Sequence, residues 1–137
     1  MSGVRFFKRL ALGIRHVDAM AFDERATVES VHEHLNKMLN TRQGSVPALP
    51  DYGLPDFNDI ARRFPDSVHE LRREIHRCIG QYEPRLTNVI VEYIRDSENL
   101  LDLRFEIRAD VLAGDKKSKI YFETTMHSSG QIELRGW

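Results

Sequence analysis

Six histidines, a single cysteine and a Glu-Pro-Arg tripeptide are the residues whose types and spacing could do chemistry. His32 and His34 are two apart, so on a helix they point about 200° from each other and cannot share a metal ion. His69 and His76 are seven apart, about 10 Å along a helix, again too far for one ion. His127 stands beside a turn. All of these are expected to be solvated surface residues. Cys78 excludes an intrachain disulfide and a cysteine zinc cluster. It falls on the apolar face of a helix, where a thiol behaves as a small hydrophobe. No serine stands in a G-x-S-x-G elbow, and neither a Gly-rich phosphate loop nor H-E-x-x-H occurs. No catalytic residue, metal or cofactor is therefore expected.

The most conspicuous carboxylate is Glu83, in Tyr82-Glu83-Pro84-Arg85-Leu86. A glycoside hydrolase needs a general acid whose pKa is raised by apolar surroundings. The end of a helix disfavours the Glu83 charge, but Arg85 two residues on more than cancels that and favours the ionised form. An ionised Glu pinned by Arg is a poor general acid. A plain reading is a proline-stopped helix with a solvated ion pair. The sharper one is a rigid charged elbow for docking, because Pro84 fixes the backbone and Arg suits two-point contacts.

The elements that position these residues follow from periodicity. Phe7, Leu10, Ala11 and Ile14 share one face of a short basic helix, suited to a partner or an anionic membrane surface, or simply a frayed terminus. Residues 1–24 are read as this extension and 25–137 as one domain. Thr27 to Leu39 reads as a helix with Ser30 and Glu33 at capping-box spacing, although Thr27 or Asp23 could equally supply the start. Gly44 is available for a left-handed turn, and three prolines make 45–55 a loop. Asp56 caps a short helix through Phe64. Ser67 caps the longest helix, with Val68, Leu71, Ile75, Cys78, Ile79 and Tyr82 on one inward face, until Pro84 ends it.

After Leu86 the period becomes 2. Val89, Val91 and Tyr93 alternate; Leu101, Leu103, Phe105, Ile107, Ala109 and Val111 alternate with charges; Ile120 to Met126 and Ile132 to Leu134 complete the set. The predicted class is α+β: a three-helix layer, plus the short N-terminal helix, packed on a C-terminal four-stranded, mainly antiparallel meander. Such a meander leaves two strand edges. No proline follows Pro84 to blunt them, so Ile132, Glu133 and Leu134 are expected to form an open edge.

The chain's 137 residues make about one domain. With 20 Lys+Arg against 21 Asp+Glu the net charge is -1, which lacks the footprint of a nucleic-acid binder. No apolar run approaches the ~18 residues of a transmembrane segment. No apolar core precedes a cleavage site near the start, so a cytoplasmic protein is expected.

In order, Val31, Leu35, Met38-Leu39-Asn40-Thr41-Arg42-x-Gly44, then Asp51-Tyr52-Gly53-Leu54-Pro55-Asp56, then Tyr82-Glu83-Pro84-Arg85-Leu86 resemble TssE, the small baseplate subunit of bacterial type VI secretion systems. That family is similar in turn to the wedge protein of contractile-phage baseplates, often labelled lysozyme-like. The resemblance runs from about residue 25 to the C-terminus. It implies a structural, non-enzymatic role at the cytoplasmic face of the inner membrane, in six copies per baseplate. It also implies docking on the wedge subunits TssF and TssG through Glu83, Pro84, Arg85 and Leu86. The strands from Ile120 to Leu134, with Ile132–Leu134 at the edge, would seed contractile sheath subunits by strand exchange. The competing expectation, carried by the label, is a peptidoglycan hydrolase.

Overall fold

A computed structural model describes residues 16–95 and 102–136, with side chains from residue 24 onward. The basic helix expected around Phe7–Ile14 lies outside these, as do Leu101 and Trp137. Among the described residues three helices precede four strands: α1 (His16–Leu39), α2 (Phe57–Arg62), α3 (Ser67–Tyr82), β1 (Leu86–Ile94), β2 (Leu103–Ala113), β3 (Lys116–Met126) and β4 (Ile132–Arg135). The strands form one antiparallel meander in the order β1-β2-β3-β4. The expected α+β layering is what the chain adopts.

Alternation decides which face of the sheet is covered. Along β2, Leu103, Phe105, Ile107, Ala109 and Val111 are buried. They stand in register with Met126, Thr124, Phe122, Ile120 and Ser118 of β3. Against this face lie Val28, Val31, Leu35, Met38 and Leu39 of α1, and Val68, Leu71, Ile75, Cys78 and Ile79 of α3. Each such side chain contributes roughly 1.5–3 kcal/mol by leaving water. The opposite face carries Arg104, Glu106, Arg108 and Asp110, with Ile90, Leu112 and Tyr121 exposed among them.

Helix starts differ from expectation at two places. α1 runs unbroken from His16, so Ser30 and Glu33 sit mid-helix and cap nothing. α1, not α3, is also the longest helix, at 24 residues. Asp56 does cap α2, accepting from the Asn58 N–H at 3.0 Å. Ser67, however, is the first residue of α3, and its buried hydroxyl donates to the Ile60 carbonyl at 2.5 Å, tying α3 to α2.

The proline-rich loop is held as firmly as a strand. Leu54 N–H donates to the Thr41 carbonyl and Gln43 N–H to the Leu54 carbonyl, both at 2.9 Å, a one-residue parallel bridge. Gly53 makes this possible. Its φ is +100°, and a Cβ there would lie 2.2 Å from the Thr41 oxygen. The Gly53 carbonyl accepts from the Cys78 thiol at 2.9 Å, so Cys78 is a hydrogen-bonding group and not merely apolar filler. Burial pushes that thiol's pKa up, which keeps it unreactive.

Candidate functional site

The Glu83-Pro84-Arg85 corner joins α3 to β1, where the helix layer gives way to the sheet. It is not the solvated pair of the plainer reading: the Glu83 side chain is 1% exposed. Arg85 Nε and Nη2 donate to its two carboxylate oxygens at 2.7 and 2.8 Å, a two-point pair. From α1, His34 Nδ1 donates to Glu83 Oε2 at 2.7 Å. Burial alone would raise the Glu83 pKa, but hydrogen bonds from Arg85 and then His34 outweigh it and hold the carboxyl below the ordinary glutamate range. Glu83 is therefore ionised at neutral pH, as the sequence argument required, and is unfit as a general acid.

The outward part of the corner is Pro84, which is exposed, and Arg85, whose side chain is 37% exposed. Arg85 Nη1 also donates to the Ser30 hydroxyl at 2.8 Å. These bonds use three of the five donors a guanidinium carries, so one N–H on each Nη is left for another group. Leu86 is buried and pairs with Val111, anchoring the corner without being presented by it. Tyr52, brought in by the Gly53 loop, stacks on His34 with ring centroids 6.1 Å apart. Burial raises its pKa, as do the nearby Cys78 and Glu83.

At the other end of the sheet the structure corrects the open edge. Ile132 and Leu134 of β4 turn their main-chain groups away from β3, and side chains from α1 and the residue just after it meet them. The Asn40 carboxamide acts as a surrogate strand: its Oδ1 accepts from the Ile132 N–H at 2.8 Å and its Nδ2 donates to the Ile132 carbonyl at 3.0 Å. One turn pair up the same helix, His32 Nε2 donates to the Leu134 carbonyl at 3.0 Å. Glu133 faces the outer side, bonded to Arg135 at 2.9 Å and His127 at 3.1 Å. Ile132, Glu133 and Leu134 are thus at a sheet edge, but one already covered where main-chain pairing would occur.

The histidines are accordingly not all solvated. His32 and His34 do point to opposite sides of α1, one to β4 and one to the corner, and each is a structural donor. His76 Nε2 lies 3.1 Å from the Val89 carbonyl. Sequence reasoning missed Asn40, His32 and His34 as bonding groups; the signal available was that His32 and His34 sit on α1 beside the apolar stripe and Asn40 directly follows its last residue. Among the described residues no group of three or more His, Cys, Asp or Glu could hold a metal ion. No helix among them is long and apolar enough to cross a membrane.

Comparison with known proteins places the chain beside baseplate proteins. A family model described as "Baseplate wedge protein gp25" matches residues 25–116. A chain of a solved structure described as "the baseplate complex from the type VI secretion system" is 26% identical, with a TM-score of 0.64 over 78% of this chain and 97% of that one. A protein from Geobacter sulfurreducens described as a tail lysozyme is 17% identical, with a TM-score of 0.52 over 71% of this chain and 88% of that one, a likeness of fold alone. No curated protein sequence matches.

Proposed function

Because the chain belongs to the gp25 baseplate wedge family, we propose that it is a structural baseplate subunit of a type VI secretion system, docking on the wedge subunits TssF and TssG in the cytoplasm. The match over residues 25–116, together with the likeness to a type VI baseplate chain, supports the baseplate role. The observation that carries the docking reading is the state of Arg85. Its guanidinium is fixed by Glu83 and Ser30 yet keeps a donor on each Nη and more than a third of its surface in solvent. A preordered cation loses little entropy when a partner carboxylate or carbonyl arrives. Glu83 works from behind, setting the orientation of Arg85, and Pro84 contributes the exposed rigid turn. Sheath templating at Ile132–Leu134 belongs to the same reading, with Asn40 and His32 as the groups an incoming strand displaces. Hydrolysis of peptidoglycan has no support in the site, since its one buried carboxylate is held ionised.

The test is co-purification of TssF and TssG with the wild-type chain and with Arg85→Lys. Lysine keeps a cation opposite Glu83, so the domain holds, but loses the planar fork. Capture of the wedge subunits should fall sharply and become salt-sensitive. Equal capture at equal salt would show that Arg85 is not the docking contact.

A further inference from the structure

The Glu83–Arg85 pair is nearly closed on itself. Glu83 Oε1 accepts from Arg85 Nε at 2.7 Å and from the Arg85 main-chain N–H at 3.3 Å, and Oε2 accepts from Arg85 Nη2 at 2.8 Å. Three of the four bonds to this carboxylate thus come from a residue two positions along the chain, and the fourth from His34. Such a pair fixes the guanidinium relative to the carboxylate but not relative to the rest of the fold. Two bonds to α1 do that. His34 Nδ1 donates to Oε2 at 2.7 Å, and Arg85 Nη1 donates to the Ser30 hydroxyl at 2.8 Å. Ser30 and His34 are four residues apart, neighbours on one side of the helix, so α1 holds the pair at its cationic and its anionic end.

His34 is itself held. Facing an ionised carboxylate, its Nδ1 must carry the proton. The Tyr52 ring lies along the imidazole at 27°, with centroids 6.1 Å apart, and meets the Tyr82 ring edge-on at 76° and 5.1 Å. Tyr82 immediately precedes Glu83, so Tyr52 stands between the helix that carries His34 and the end of the helix that leads into the corner. Countercharge does not explain the imidazole, because Arg85 alone supplies both the charge and a donor to each carboxylate oxygen. Orientation does.

We propose that His34 is a positioning residue of the docking corner: through Glu83 it sets the direction in which Arg85 presents its remaining N–H groups to a partner. The inference rests on the docking reading of Arg85 and names the α1 residue that acts behind it.

The test uses the full chain, first alone and then with TssF and TssG. His34→Asn keeps an N–H two bonds from Cβ, where Nδ1 stands, whereas His34→Leu fills the space without a donor. In the free chain the Arg85 Nε–H nuclear magnetic resonance should be single and sharp in the wild type and His34→Asn, and broadened or doubled in His34→Leu. An unchanged resonance in His34→Leu overturns the proposal. With the wedge subunits, His34→Leu should weaken capture about three- to tenfold, the scale of ordering one rotamer-rich side chain on binding, and His34→Asn should recover it. In an Arg85→Lys background the two His34 variants should capture alike, because His34 acts through the fork of Arg85. A loss in His34→Leu that persists undiminished in that background, or no recovery in His34→Asn, also overturns the proposal. His34→Leu lowers the melting temperature as well, since a buried carboxylate loses a donor, so capture is measured well below the transition of every variant. Equal capture by the wild type and Arg85→Lys refutes the docking reading itself, whereas unchanged resonances with docking intact refute only the part given to His34.

Discussion

Replacing Arg85 by alanine separates what the corner does for the fold from what it does for a partner. In the wild type, the Glu83 carboxylate is 1% exposed and accepts from Arg85 and His34. Arg85→Ala leaves that carboxylate buried with His34 alone. Removing one partner of a buried pair costs roughly 3–5 kcal/mol. Arg85 is itself 37% exposed, so water enters where the guanidinium was, and the expected loss is nearer about 2–3 kcal/mol. A domain of this size loses about 4 °C of Tm per kcal/mol, giving a fall of about 8–12 °C at neutral pH. The pH dependence has a definite sign. The Glu83 pKa is depressed in the folded chain, so its contribution is fully present above the unfolded value of about 4.3 and is lost as pH falls through the folded value. In Arg85→Ala the carboxyl, no longer offset by the guanidinium, is desolvated and protonates more readily. The gap between the two proteins should therefore narrow on acidification toward pH 4 and below. Thermal unfolding by circular dichroism across that range measures it. If the variant melts within about 2 °C of wild type at neutral pH, the buried carboxylate does not depend on Arg85 and the reasoning fails.

Two further outcomes follow from the loop and the edge. Asn40→Ala removes both bonds to Ile132 and should cost about 1–3 kcal/mol, with much faster hydrogen exchange at the Ile132 amide; unchanged protection there would show that the edge is closed by something else. Gly53→Ala places a Cβ against the Thr41 oxygen at positive φ, and should lower the urea midpoint by the equivalent of at least about 2 kcal/mol; a midpoint equal to wild type would mean the loop is not pinned to Thr41–Gln43.

The layers were legible because they rest on local repetition. The stripe Val31, Leu35, Met38 and the alternation Leu103 to Val111 each specify an element and its buried face within a dozen residues. The corner was legible only as far as its covalent neighbours go. Glu83 and Arg85 announce an ion pair, but that the pair is turned inward depends on His34, 49 positions away. The edge misled for the same reason: absence of proline describes β4 alone, while Asn40, which covers it, lies 92 positions earlier. Ser30 shows the converse failure. Its spacing to Glu33 fits a helix start, yet the residues before it also favour helix, and its hydroxyl instead meets Arg85.

The carboxamide of Asn40 bears on how copies of this chain behave toward each other. An uncovered strand edge is a template on which identical chains zip together and precipitate. Here a second copy approaching β4 must first strip two bonds from Ile132 and one from Leu134, and its own β4 is covered in the same way. Self-pairing would exchange side-chain bonds for main-chain bonds in nearly equal number, with little left to drive it. The cover is two side chains, His32 on α1 and Asn40 directly after its last residue. A second copy of β4 would thus gain little by pairing at Ile132 and Leu134, where the main-chain groups are already bonded.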